Sequence, residues 1–274
     1  MVRNITTRGI FIESAISYMK TNSLDGISID WEYPTRRGTS VPKVRNRYTF
    51  LLKEFKKAFD KQNKTFTLSA SVSVDPKIVN TAYEVTQISK YVDWVNVMAY
   101  ALHGAWKDET GHHTAMSGGN SNVISSVKAW QEFGMPNDKI SIGLATYGRT
   151  FTLLDKDKNN LNDPIIGAGT AGRYTEASGI LSFYEFCNQT WSRLTPFHKS
   201  AAKKPYASHG DQWIGYESPK SIANEVTTLF SDNCCFRGIS IWTLGYDDFS
   251  GKFCKIGKYP LIYAAVQALK DAPF

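Results

Sequence analysis

The sequence is poor in cysteine and has no long apolar run. Cysteine occurs four times, at Cys187, Cys234, Cys235 and Cys254. No two of them form a C-x-x-C pair, which argues against a zinc ribbon or a thioredoxin-type redox centre. Adjacent Cys234 and Cys235 are too close along the chain to bond each other without strain. Spacing alone leaves open whether the four are buried thiols. No stretch reaches the ~18 to 20 consecutive apolar residues that a membrane span needs. Arg3 and Arg8 are followed by no apolar segment of the kind that marks a secretory leader, so no signal peptide is expected in the sequence. There is no internal repeat and no low-complexity tract. Charged residues make up 21%, too few for a disordered charged tail. The net charge of +7 is mild and spread out. The densest basic runs, Lys53–Lys61 and Lys199–Lys204, are short. A nucleic-acid binder gathers its charge on one face, so no nucleic-acid partner is expected.

Against these absences stand an ample core and many rings. Hydrophobic residues are 42% of 274, enough to bury a large core. A complete eight-stranded β/α barrel takes about 250 residues, so the length alone admits one whole barrel. Aromatics are 13%, with seven Trp and fourteen Tyr. Such a composition suits a surface that stacks flat ligands such as sugar rings, and equally a core filled by rings. N-x-Thr triplets at Asn4, Asn63 and Asn188 lean towards a secreted context, although such triplets arise often by chance.

Apolar periodicity predicts helices over Arg8–Lys20, Arg47–Lys61, Tyr83–Tyr91, Val123–Phe133, Ser221–Phe230 and Pro260–Lys270. Strands are expected over Gly26–Trp31, Thr65–Val74, Trp94–Tyr100, Lys139–Tyr147 and Gly238–Leu244. Arg36–Val44 and His103–Asn120 read as loops. The alternation of helix and strand argues for parallel strands with crossover helices. From about Leu153 to Pro219 that rhythm breaks. A structureless loop of this length is improbable in a folded domain, so an inserted α+β module is expected there.

The densest chemical signal is Asp25-Gly26-Ile27-Ser28-Ile29-Asp30-Trp31-Glu32-Tyr33-Pro34. On a strand, Ser28, Asp30 and Glu32 face one side and Ile27, Ile29 and Trp31 the other. Carboxylates are costly to bury inside a barrel, where a packed core uses Val or Leu. At the C-terminal end of a barrel strand they stand where such barrels keep their active sites. Like-charge repulsion between the two favours one staying protonated, as a general acid requires.

This segment resembles the fourth-strand signature of the glycoside hydrolase family 18 chitinases, D-G-x-D-x-D-W-E-Y-P. Five further segments resemble that family in the same order. They are Val95–Tyr100 (the sixth strand), Leu102–Trp106 (His-Gly-x-Trp), Thr146–Phe151 (the seventh strand, Tyr-Gly-Arg-Ser-Phe), Trp213–Tyr216 and Gly238–Asp248 (the last strand). The resemblance implies an α/β chain of the (β/α)8 TIM-barrel family with an α+β insertion between the last two strands. It implies a barrel segment at 1–152, the insertion module at 153–219 and a closing barrel segment at 220–274.

The chemistry implied is a retaining, substrate-assisted cleavage of β-1,4-linked N-acetylglucosamine polymers. Glu32 would protonate the glycosidic oxygen while the sugar's own acetamido oxygen attacks the anomeric carbon. Asp30 would hold the acetamido N–H and stabilise the oxazolinium ion. Tyr100 would hold the acetamido oxygen, and Trp242 would floor the distorted sugar. Trp31, Tyr33, Met98, Trp106, Tyr147 and Arg149 would line the cleft, with Trp106 stacking an adjacent sugar. The expected partner is chitin or a chito-oligosaccharide, bound by a secreted monomer without cofactor or metal. The resemblance also implies a Cys187–Cys254 disulfide, as suits a secretory lineage, and leaves Cys234 and Cys235 without a named partner.

Two positions depart from the family. Ser28 stands where the family has the first Asp of D-x-D-x-E, and it can hydrogen-bond Asp30 but carries no charge. Ala101 stands where an Asp follows the tyrosine. A hydrolase remains the first reading because Glu32 and Asp30 are kept. A chitin-binding, lectin-like protein without turnover is the alternative. The fourth-strand signature lies at residue 25 with one helix before it, so the first three strands are expected to be absent. Such a remnant would expose sheet edges and apolar surface and would be poorly soluble alone.

Overall fold

Alternation over β1 (Gly26–Asp30) is realised: Ile29 is buried while Ser28 and Asp30 are exposed. The structure is a computed structural model that describes residues 1–36, 42–118, 121–191, 193–195, 203–231 and 235–273. Residues 37–41 of the expected Arg36–Val44 loop, Asn120 of the next loop, Cys234 and most of the Lys199–Lys204 run lie outside the described residues. β1 pairs in parallel with β2 (Thr67–Val72), β2 with β3 (Trp94–Val97), and β3 with β4 (Ile140–Ala145). The five-stranded order is completed by β11 (Gly238–Trp242), next to β4. Gly26 lies opposite Thr67, where an added Cβ would collide with the Thr67 carbonyl oxygen. Only glycine permits that approach.

Helices alternate with these strands along the chain. α1 (Ile5–Thr21) starts at Asn4, whose side chain accepts the Thr6 amide, and buries Ile12, Ile16 and Met19 at helical spacing. α2 (Pro42–Phe59) buries Tyr48, Leu51, Leu52, Phe55 and Phe59, and Phe11 of α1 meets Phe55 edge-on at 5.7 Å. Arg8, buried on α1, forks both carboxylate oxygens of Glu54 on α2 at 2.6 and 2.8 Å. The helix expected over Tyr83–Tyr91 is shortened to α4 (Val85–Ile88), and a separate helix that the periodicity does not mark, α3 (Pro76–Ala82), precedes it. Asp75 caps α3 with Pro76 in its first turn, and extended Tyr83 ends it. α5 (Val123–Glu132) closes on Gly134 at φ +96°.

A second sheet is antiparallel. β5 (Tyr147–Leu153), β6 (Ile165–Ala168), β8 (Arg193–Thr195), β9 (Tyr206–His209) and β10 (Gln212–Gly215) run in the order β6–β5–β10–β9–β8, with β7 (Ile180–Ser182) on β5. Phe151, Leu153, Tyr206 and Trp213 form its core cluster. α6 (Phe183–Cys187), α7 (Pro219–Leu229) and α8 (Pro260–Lys270) complete the chain. The Cys187–Cys254 disulfide is formed, with Cα atoms 5.0 Å apart, and Cys235 is exposed. The reading of four buried thiols is thereby excluded.

Two compact units divide these elements. One holds Met1–Met98, Ser126–Ile142 and Phe236–Gly238; the other holds Ala99–Ser125, Gly143–Cys235 and Ile239–Phe274. Among the described residues, no helix is long and apolar enough to cross a membrane.

Candidate active site

The first unit carries the acidic strand end. Ser28 and Asp30 are exposed on β1, Glu32 is exposed in the bend that follows it, and Pro34 is buried beyond them. The expectation of carboxylates buried at an inner barrel face differs from this. β1 is an edge strand of the five-stranded order, and its Ser28 and Asp30 side chains meet solvent, so they carry no burial cost. Trp31, on the opposite face, packs edge-on against Tyr48 at 5.9 Å, and Tyr48 against Tyr83 at 5.8 Å. Tyr83 continues to Trp130 at 5.2 Å, and the Trp130 indole donates to the Ser73 carbonyl at 2.8 Å. This run of rings packs Trp31, which lies between Asp30 and Glu32, against the core. Burial first, and the Asp30 charge second, push the Tyr48 phenol well up. Tyr33 is half-buried, and Met98 donates its amide to the Val72 carbonyl at 3.1 Å just past β3.

The second unit carries the rings and the cation. Tyr147 opens β5 and is nearly buried; Tyr100 meets it edge-on at 6.3 Å and Tyr246 at 6.0 Å. The Arg149 guanidinium lies 5.2 Å from the Trp106 ring centre and 5.8 Å from that of Tyr147. Both are cation–π distances. Trp106 is 59% exposed and Trp242 52% exposed, so each is in large part open to solvent. Trp242 is fixed through its backbone: its carbonyl accepts the Thr146 amide at 3.0 Å. Such a set of exposed rings beside a planar cation suits the stacking and hydrogen bonding of a sugar chain.

His112, His113 and Lys204 of this unit belong to no sequence motif, and Thr146 opens the Thr146–Phe151 segment without a role assigned to it. His113 is fully buried, and burial first, with the Arg149 charge second, drives its imidazole well below the ordinary value. Its ring lies 4.7 Å from that of Tyr147 at 34°. Neighbouring His112 is pushed down to about 3 by burial and by the Lys204 charge. The pairing of His112 and His113 within a glycine-bearing loop is the one sign of them in the sequence. Thr146, between β4 and β5, binds the Thr243 peptide on both sides. Lys204 is entirely buried, its Nζ 2.5 Å from Glu217 Oε1 and 2.5 Å from Glu225 Oε2.

The fold is thus α/β with parallel strands and crossover helices, and it carries paired carboxylates at one strand end. That defines a class: α/β proteins built on parallel strands with crossover helices. Residues 1–247 match the family described as Glycosyl hydrolases family 18, and the chain belongs to that family. It is 34% identical to chitotriosidase-1 of Mus musculus over 98% of this chain and 59% of that protein. It is also 34% identical to the oviduct-specific glycoprotein of Sus scrofa, over 96% of this chain and 51% of that one. The chain spans about half the length of the curated relatives it matches. Among solved structures, it superposes on a Group IV chitinase of Ostrinia furnacalis in complex with allosamidin. There the TM-score is 0.92 and the identity 32%, over 99% of this chain and 75% of that one. It superposes with TM-score 0.90 on human YKL-39, described as a pseudo-chitinase with retained chitooligosaccharide binding properties. That match has 33% identity over 98% of this chain and 76% of that one.

Proposed function

We propose that this chain binds β-1,4-linked N-acetylglucosamine oligomers and hydrolyses them with retention, Glu32 acting as the acid. The observation that supports this most is the pair of exposed carboxylates at the end of β1, Asp30 as its last residue and Glu32 in the bend after it, within a sequence of family 18. Glu32 gives its proton to the glycosidic oxygen as the bond breaks. The substrate's acetamido oxygen closes on the anomeric carbon. Asp30 accepts the acetamido N–H and offsets the positive charge of the oxazolinium ion. Water then opens that ion and returns the proton to Glu32. Tyr100 holds the acetamido oxygen and Trp242 floors the reacting sugar. Trp31, Tyr33, Met98, Trp106, Tyr147 and Arg149 complete the sugar contacts. The nucleophile comes from the substrate, so this route calls for no cofactor. The disulfide suits an oxidising, extracellular setting, and we place the protein there as a monomer. The organisation that fits the roles is a barrel segment at 1–152, an insertion at 153–219 and a closing barrel segment at 220–274.

A second reading, a chito-oligosaccharide-binding protein without turnover, is favoured by Ser28 and Ala101. Both lack a carboxylate that the family signature has, and human YKL-39 is described as binding chitooligosaccharide while being a pseudo-chitinase. Titration of the full chain with N-acetylglucosamine tetramer, read by tryptophan fluorescence and calorimetry, tests the binding common to both readings. Saturable binding that Trp242→Ala weakens at least ~tenfold supports it, since a ring covered by a stacked sugar carries ~1.4 kcal/mol or more. Absence of binding by the wild type overturns both.

A further inference from the structure

His113 makes two hydrogen bonds of opposite kind. The Ala101 amide donates to its Nδ1 at 3.3 Å, and its Nε2 lies 3.1 Å from the Tyr147 carbonyl oxygen. A carbonyl only accepts and an amide N–H only donates, so the ring must be neutral with its proton on Nε2. The Ala101 amide belongs to the peptide that follows Tyr100, and the carbonyl belongs to Tyr147 itself. One imidazole therefore fixes the peptides of both tyrosines. The Leu102 amide also donates to the His113 carbonyl at 3.0 Å, so the same residue holds the turn after Tyr100 from two sides. That turn needs holding, because Ala101 sits at φ +56°, where a non-glycine residue is strained. The His113 ring also covers the Tyr147 ring.

We propose that His113 is a positioning residue that sets Tyr100 against Tyr147 for sugar binding, acting as the neutral Nε2–H tautomer. The proposal rests on the chito-oligosaccharide reading of this group. The charged and titratable groups around His113 are Arg149, Lys204 and His112, together with the Tyr147 phenol. The nearby cations Arg149 and Lys204 and the burial of the ring all oppose an imidazolium. An imidazolium would also turn Nδ1 into a donor facing the Ala101 N–H and open the clamp.

Three variants separate the contributions. His113→Phe keeps a ring on Tyr147 and removes both bonds. His113→Asn keeps an acceptor near the Nδ1 position, and His113→Gln keeps a donor near the Nε2 position. Calorimetric titration with N-acetylglucosamine tetramer is expected to show His113→Phe at least ~tenfold weaker than wild type. His113→Asn is expected within about threefold, because the Tyr100 turn is the more strained partner. Nitrogen-15 histidine spectra of the wild type, without sugar, should show a single neutral Nε2–H ring from pH 8 to pH 5. Two results overturn the proposal while leaving the binding reading intact. One is His113→Phe binding within twofold of wild type although its melting temperature falls. The other is an imidazolium at His113 by pH 6. A wild-type chain that binds no tetramer, with the neutral ring still seen, overturns the sugar-binding reading and the proposal's functional half with it.

Discussion

Thr146 and Thr243 hold each other through a closed pair of hydrogen bonds. The Thr243 amide donates to Thr146 Oγ1 at 2.9 Å, and that hydroxyl donates to the Thr243 carbonyl at 2.6 Å. Thr146 precedes Tyr147 and Thr243 follows Trp242, so one hydroxyl ties the backbones beside two rings proposed to contact sugar. Thr146→Val keeps the shape and removes both bonds. It should cost about 1–3 kcal/mol of stability, because a buried peptide loses its partners. It should also weaken chito-oligosaccharide binding, whereas Thr146→Ser should restore both. Thermal melting alongside tetramer titration checks this; equal affinity in wild type and Thr146→Val would count against the tie.

The buried Lys204 cluster makes stability depend on pH. One ammonium faces two carboxylates. Glu217 accepts also from Thr114 and Ser221, both at 2.6 Å, while Glu225 Oε1 has no hydrogen-bond partner among the described residues. Burial first raises the Glu225 carboxyl to about 7, with the Lys204 charge opposing and that of Glu217 assisting. Burial also works against the Lys204 charge, but its two carboxylate partners outweigh it and hold its value above the ordinary one. The folded state therefore binds the Glu225 proton more tightly than the unfolded chain does. That contribution is complete below the ordinary value of 4.5 and is lost as pH rises through about 7. Lys204 is charged in both states throughout this window. Denaturant unfolding at pH 5 and pH 7.5 should show wild type losing more stability with rising pH than Glu225→Gln. Equal losses would contradict the assignment.

Removing one member of that cluster should be severe. Lys204→Met leaves two carboxylates buried with no cation, a loss of about 3–5 kcal/mol. The double variant Lys204→Met/Glu225→Gln should recover part of it. Both are read by the same unfolding curves, and a harmless Lys204→Met would show that the cluster is hydrated.

The two departures from the family signature are testable by reversal. Ala101 lies at φ +56°, a region that Asp tolerates better than Ala, so Ala101→Asp fits the backbone. Ser28 is exposed, so Ser28→Asp carries no burial cost. If the missing carboxylates limit turnover, the double variant should cleave chito-oligosaccharide at least ~tenfold faster than wild type, ~1.4 kcal/mol in the barrier. An unchanged rate would remove that explanation.

Local features are legible in the sequence and long-range ones are not. The two-residue alternation of β1 alone places Ser28 and Asp30 on one face, and α8 begins at Pro260 and ends at Lys270 as its periodicity requires. The apolar spacing from Tyr83 onward marks α4 alone, and α3 before it is signalled by the Asp75-Pro76 helix start rather than by periodicity. His113 escapes any pattern, since its partners lie at Ala101 and Tyr147 and no periodicity links those positions. Lys204 stands in the sequence as the end of a basic run; its burial depends on Glu217 and Glu225, which only the fold brings to it. The Cys187–Cys254 pairing is implied by family resemblance, and the structure places the two sulfurs in one bond.

Glu32 as the acid of a chito-oligosaccharide hydrolase is the central claim. Its most direct test is release of a fluorogenic leaving group from an N-acetylglucosamine oligomer by the full chain and by Glu32→Gln, each shown to bind the tetramer. Measurable release by the wild type is predicted, with a rate about 10²- to 10⁴-fold lower in the variant, the usual contribution of a positioned general acid. Equal release by the two proteins, with binding intact, would contradict the claim and leave the chain a sugar-binding member of the family.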